Sequence, residues 1–329
     1  MLLNILKDRR VLFFGGKGGV GKTTLASATA AGLAQEGRRI LVVSTDPAHN
    51  LGHLWEREIG AKPVSLMAGL DGIELDPSST VDEHLKTVEN SLRKLMPERL
   101  HKEVKRHLEQ AREAPGMVEA ALLERIAVTL ETGLAHYDTV IFDTAPTGHT
   151  TRLLELPELM AAWTDGLLKN RERSGNFTRA LGQFKAVDAD NDVASNLFED
   201  EPTRDHEMRA VLMRRQDRFR KLREILTDSE TTAFMIVLTA ERLPVLETIE
   251  LCQRLHDLQV SVGGLFVNRR SPRGESALLD QRAKNEDAHL AKLIKALQPK
   301  VPEIKQIPLS ANEIIGGQEL VHFSSAYLG

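Results

Sequence analysis

The stretch FFGGKGGVGKTTLASA, residues 13–28, places five glycines in the seven positions from Gly15 to Gly21, with Lys17 and Lys22 threaded among them. Gly16, four further residues, then Gly21-Lys22-Thr23 satisfies the G-x-x-x-x-G-K-[ST] pattern of a phosphate-binding loop. Glycine lets the backbone curl so that successive N–H groups face phosphate oxygens, a concavity that side chains would obstruct. The residues expected to form it are Gly16, Lys17, Gly18, Gly19, Val20, Gly21, Lys22, Thr23 and Thr24. Lys22 would reach the β/γ-phosphates, and the Thr23 hydroxyl would ligate Mg2+. A glycine-rich turn that binds nothing is the plain alternative. Context argues against it: an apolar run at 11–14 precedes the loop and an Ala-rich helical stretch follows, which aims a helix N-terminus at the phosphates.

A loop of this kind belongs between a strand and a helix of a parallel sheet. Four further apolar runs, at 40–44, 139–143, 234–239 and 264–268, read as buried parallel strands, each followed by a loop and a helical stretch. The expected fold class is therefore α/β, a P-loop NTPase with a mostly parallel sheet flanked by helices, forming one domain over 1–329. Gly15, Asp46, Asp143 and Asn268 all fall at C-terminal strand ends, where ligands of such sheets bind. Two stretches break the alternation, about 78–136 and 152–229. Both read as helical insertions forming one subdomain, with a polar middle at 188–205 read as a mobile loop.

Composition narrows the classes of function. The hydrophobic fraction is 41% and the charged fraction 27%, as in soluble globular proteins. A net charge of −4 gives no basic footprint, so no nucleic acid partner is expected. The single cysteine, Cys252, excludes an intramolecular disulfide framework and fits a reducing compartment. The N-terminal MLLNILKDRR is too short and too charged for a signal peptide, and the apolar run 231–240 is too short to span a bilayer. The expectation is a cytoplasmic protein that is not itself transmembrane.

Two acids carry the candidate chemistry. Asp46, in TDPAHNL after the second core strand, is placed to orient an attacking water; an Asx-turn or helix cap is the alternative. Asp143, ending the apolar strand of FDTAPTGHT, would hold the Mg2+ shell through water, with Asp46 a second candidate through water. Lys17 and Lys22 complete the candidate catalytic set with Asp46.

GGKGGVGKTT, TDPAHNL, PGMVEA, FDTAPTGHTTRLLELP, VLTAERLPVLETIEL, VNRR and PLSANEI occur in an order that resembles the arsenical pump-driving and tail-anchored-protein-targeting ATPases. The resemblance runs almost end to end and is lowest in the helical insertions. It implies ATP and Mg2+, a homodimer, and a helical subdomain controlled by nucleotide. It also accounts for Lys17: the extra lysine of this deviant Walker A group reaches across a two-fold interface to the phosphates held by the other protomer. It further implies that Asn268 hydrogen-bonds the adenine edge, with the backbone around Pro308 closing over the base. His49 and His149 fall in the switch segments and receive no catalytic role.

The chain also departs from its relatives. Arsenite sites need several thiolates, and Cys252 is better read as a small buried hydrophobe. The zinc-clamped dimers of this group use a C-x-x-C, which 276–290 lacks, so no zinc is expected. Met208, Val211, Leu212, Phe219, Leu222 and Leu226 recur at helical spacing opposite an Arg-rich face, and 153–160 carries another apolar patch. Either a groove for a hydrophobic client helix or ordinary helix packing fits these stripes. The leading expectation is an ATPase coupled to a client helix or membrane-protein partner. The alternative is the catalytic subunit of an arsenite or anion efflux pump.

Overall fold

Alternation along the first strand explains the layering. Val11 and Phe13 face one side of the sheet, Leu12 and Phe14 the other, and all four are buried. A strand apolar on both faces demands cover on both. The computed structural model describes residue 6 and residues 8–46, 50–95, 101–113, 116–144, 201–299 and 303–328. Within these, eight strands form one sheet: β1 (Val11–Gly16), β2 (Ile40–Ser44), β3 (Val64–Met67), β4 (Leu70–Glu74), β5 (Thr139–Asp143), β6 (Thr232–Thr239), β7 (Val262–Arg270) and β8 (Ile304–Pro308). Their order is β3-β4-β2-β5-β1-β6-β7-β8. Only the edge pair β3 and β4 is antiparallel.

Helices cover both faces. On one lie α1 (Lys22–Gln35), α2 (Asn50–Trp55) and, near the C-terminus, a helix over Gly317–Tyr327. The alanines of α1 at 26, 28, 30 and 31 are buried, and their small side chains let the sheet and the C-terminal helix approach closely. The other face is the larger cluster, in which Phe13 stacks on Phe142 with ring centroids 4.9 Å apart.

After β4 come α3 (Pro77–Leu95), α4 (His101–Ala111) and α5 (Met117–His136). The next described helix is α6 (Glu201–Thr227). Leu123, Ile126 and Leu130 of α5, with Phe219, Leu222 and Leu226 of α6, are buried against β-strand residues of the larger cluster. Packing on the sheet, not an open groove, is therefore what the C-terminal part of the α6 stripe serves. The side chain of Leu212 and all of 152–200, including the 153–160 patch, lie outside the described residues. The chain continues through α7 (Arg242–Asp257) and α8 (Ala277–Leu297), and α9 is the helix over Gly317–Tyr327.

Candidate active site

The glycine loop is pinned between two neighbouring strands. Gly16 has φ +145°, and a Cβ there would lie 2.1 Å from the Val237 carbonyl oxygen on β6. Gly21, with φ +99°, forms the N-cap of α1, and a Cβ on it would lie 2.4 Å from Asn268 Nδ2. That amide donates instead to the Val20 carbonyl oxygen at 2.9 Å, tying β7 to the loop. Among the described residues no side chain caps the first turn of α1, which leaves its first N–H groups available to a ligand.

The loop opens on a cleft of about 340 Å3. Gly19, Gly21, Lys22, Thr23 and Thr24 line one side; Asp46 with Asn50, His53 and Leu54 of α2 lines another; Arg269 and Ile315 complete it. Lys22 is buried, and its Nζ donates to the Lys17 carbonyl oxygen at 3.2 Å. Burial lowers its pKa, while the charges of Asp143 and Asp46 act to raise it.

Asp143 is fully buried and accepts a hydrogen bond from Thr23 Oγ1 through Oδ2 at 2.6 Å. Its Oδ1 is buried with no hydrogen-bond partner among the described residues. Burial pushes this carboxyl up to about 7; the Thr23 hydrogen bond and Lys22 oppose the shift, and the charges of Asp46 and Glu74 add to it. A buried acceptor without a partner costs on the order of 1–3 kcal/mol, and more when charged. A hard cation beside it would remove that cost, and a hydroxyl next to a carboxylate is the oxygen-donor set Mg2+ prefers. The residues present therefore fit such an ion.

The structure brings Gly16, Lys22, Thr23, Asp46 and Asp143 to one strand edge. Asp46 is half-buried, and its N–H donates to Ser44 Oγ at 3.3 Å. Lys17 Nζ donates to Glu247 Oε1 on α7 at 2.9 Å. Gly18 and Gly19 are exposed, and Val20 is buried. Asn268 stands beside the loop, yet its neighbour Arg269 lines the cleft. Pro308 ends β8 in register with Arg270, and beyond it Ile315 reaches the cleft. Residues 47–49 and 145–150, with His49 and His149, lie outside the described residues. Sequence reading missed Arg269, Ile315, Glu247 and the α2 residues as site neighbours. Four of the quoted motifs marked their vicinity: VNRR holds Arg269, TDPAHNL holds Asn50, VLTAERLPVLETIEL holds Glu247, and PLSANEI ends one residue before Ile315.

A glycine loop between β1 and α1, with a buried acid at the end of the adjacent β5, defines a P-loop nucleotide hydrolase. Comparison with known proteins narrows this class. Residues 9–328 match the family model described as anion-transporting ATPase, and the chain belongs to that family. It is accordingly an ATP-hydrolysing enzyme. A protein of Aquifex aeolicus (strain VF5), named "Putative arsenical pump-driving ATPase 2", is 32% identical over 321 residues, covering 96% of this chain and 98% of its own. Two Paramecium tetraurelia proteins, named ATPase ASNA1 homolog 1 and homolog 2, are 30% and 31% identical. Both alignments span 99% of this chain and 95% and 96% of theirs.

Proposed function

We propose that two copies of this chain enclose ATP between them, and that hydrolysis rearranges a helical surface that receives an apolar client helix. The observation that carries the nucleotide part is the Thr23–Asp143 pair, whose buried Oδ1 has no partner among the described residues and feels the charge of Lys22. Thr23 and Asp143 would hold Mg2+, directly or through water. The ion, when bound, draws negative charge off the phosphates. Lys22 neutralises the β/γ-phosphates from within the loop, and first-turn N–H groups of α1 hold their oxygens. Asp46 orients water for attack on the γ-phosphorus: the new P–O bond forms as the bond to ADP breaks. Lys17 stabilises the same charge in the partner's site. Asn268, beside the loop, and Pro308 bound the base end.

The helical subdomain is the second part of the reading. Residues 78–136 and 152–229 supply it, and the mutual packing of α3, α5 and α6 supports one unit. His84 Nδ1 lies 2.9 Å from Glu124 Oε2, and Arg218 reaches both Glu124 and Glu131, so polar contacts also join these three helices. The pump reading draws on the description of the family model and on the name of the Aquifex relative. It needs a soft-ligand site, and Cys252 is half-buried with its thiol pushed up to about 11 by burial, which disfavours thiolate binding.

Calorimetry and single-turnover hydrolysis on two variants test the site assignment. Lys22→Ala is expected to lose high-affinity ATP binding, and Asp46→Asn to keep binding while losing turnover by at least about 100-fold. Wild-type hydrolysis by Asp46→Asn would refute its assignment.

A further inference from the structure

Glu74 ends β4 as a carboxylate only 4% exposed, outside the set of residues assigned above. Its backbone stands in parallel register with Ser44, the last residue of β2, and the N–H of Leu75 donates to the Ser44 carbonyl oxygen at 2.9 Å. Its side chain turns to the start of α2, where Oε1 accepts from the Leu51 N–H at 3.2 Å. The other oxygen faces Gly52: a Cβ there would lie 3.3 Å from Glu74 Oε2 and 2.9 Å from the Arg57 carbonyl oxygen. The Arg57 carbonyl oxygen is what requires a glycine here; against the carboxylate a Cβ would be a tight contact.

The end of β4 thus holds both flanks of the segment that carries Asp46, through the Leu75 N–H on one side and the Glu74 side chain on the other. Ser44, two residues before Asp46, is held through the sheet; Leu51, five residues after it, is held through the side chain. The helix so anchored is buried at Leu51 and Trp55, and its Asn50, His53 and Leu54 line the same cleft as Asp46. Its far end is tied as well, since Trp55 Nε1 donates to Ser27 Oγ at 3.1 Å and the Gly316 N–H donates to the Leu54 carbonyl oxygen at 2.8 Å. A negatively charged acceptor facing the first N–H groups of a helix is also favoured by their partial positive charge.

We propose that Glu74 is a positioning residue for hydrolysis: by gripping the first turn of α2 it sets where Asp46 stands relative to Lys22 and Thr23. This rests on the reading of Asp46 as the water-orienting acid. What Glu74 supplies is an acceptor at a fixed reach, so the amide of glutamine substitutes for it and the shorter aspartate does not. A misplacement of about 1 Å in such a group costs on the order of 100-fold in rate without touching the phosphate contacts.

The test compares Glu74→Gln, Glu74→Asp, Glu74→Ala and Asp46→Asn by single-turnover hydrolysis at saturating ATP and by ATP calorimetry. Expected are rates 10- to 100-fold below wild type for Glu74→Asp and Glu74→Ala, on the order of the cost of a small misplacement. Their ATP affinity should stay within about threefold, and Glu74→Gln should recover to within about fivefold of the wild-type rate. A readout independent of turnover comes from Trp55, with Trp163→Phe as background: without nucleotide, acrylamide should quench Trp55 more readily in Glu74→Asp and Glu74→Ala, and not in Glu74→Gln. If Glu74→Ala does not fold, the contrast between Glu74→Asp and Glu74→Gln decides. Glu74→Asp faster than Glu74→Gln would show that charge, not reach, matters and would overturn the proposal. So would losses confined to ATP affinity, or wild-type rates in Glu74→Asp while Asp46→Asn is inactive. Wild-type turnover in Asp46→Asn would instead sink the reading of Asp46 itself.

Discussion

Lys17 Nζ and Glu247 Oε1 lie 2.9 Å apart, joining the glycine loop to α7 across 230 positions of chain. Each side chain is 38% exposed, so the pair is screened and worth only about 0.2–1 kcal/mol. A Lys17 that reaches into a partner's site must first leave Glu247. Within one chain the loop lysine is therefore held by a weak, half-exposed ion pair.

Glu247→Gln should release Lys17 and favour assembly. The protein concentration giving half-maximal ATPase is expected to fall, by no more than about fivefold given the exposure of the pair. The effect should fade in high salt, because the wild-type ion pair is itself weakened there. Titrating ATPase rate against protein concentration at two ionic strengths checks both statements.

Arg39 and Asp138 join the starts of β2 and β5, the strands that lead to Asp46 and Asp143. The Arg39 N–H donates to Asp138 Oδ2 at 2.9 Å, and Nη2 donates to Oδ1 at 2.9 Å. These bonds lower the Asp138 carboxyl to about 2. Because the folded value lies below the unfolded one, this stabilisation is present above about pH 4 and is lost as pH falls through about 2. Both side chains are largely solvated, so Asp138→Asn should lower Tm by no more than about 2 °C at pH 7. Denaturation curves at descending pH should show the wild type and the variant converging.

Cys252 gives the prediction that separates client from anion. With its thiol pushed up to about 11, alkylation at pH 7.5 should run on the order of 100-fold slower than that of a free cysteine. Arsenite and antimonite should leave the ATPase rate unchanged, and Cys252→Ser should keep basal turnover within about twofold. Strong arsenite stimulation that disappears in Cys252→Ser would restore the pump reading.

How far the sequence reveals this arrangement differs from element to element. β2 and β5 are unbroken apolar runs ending at Ser44 and Asp143, and the structure gives them those ends. The loop was legible from its G-x-x-x-x-G-K-[ST] spacing between an apolar run and an Ala-rich helical stretch. β4 was not, because Leu70-Asp71-Gly72-Ile73-Glu74 interrupts its apolar pattern with two acids and a glycine. β8 lies at the sheet edge and mixes Lys305 and Gln306 with two isoleucines. The stripe of α6 identified an apolar face, but spacing does not say what covers a face; for Phe219 it is the sheet core. The grips of Glu74 on Leu51 and of Glu247 on Lys17 leave no local pattern, because each joins residues brought together only by the folded sheet.

The account turns on Lys17 acting in the partner's site, and complementation between two inactive variants tests it directly. Lys17→Ala keeps its own Lys22, and Lys22→Ala keeps the Lys17 it would lend. In a mixed dimer the site on the Lys17→Ala protomer would then be complete, while the other would lack both lysines. Random mixing in equal amounts makes about half the dimers mixed, each with one good site, so about a quarter of wild-type ATPase should return. The contradicting result is a mixture whose activity does not exceed the sum of the two variants alone, with mixed dimers shown to form by co-purification of two different tags.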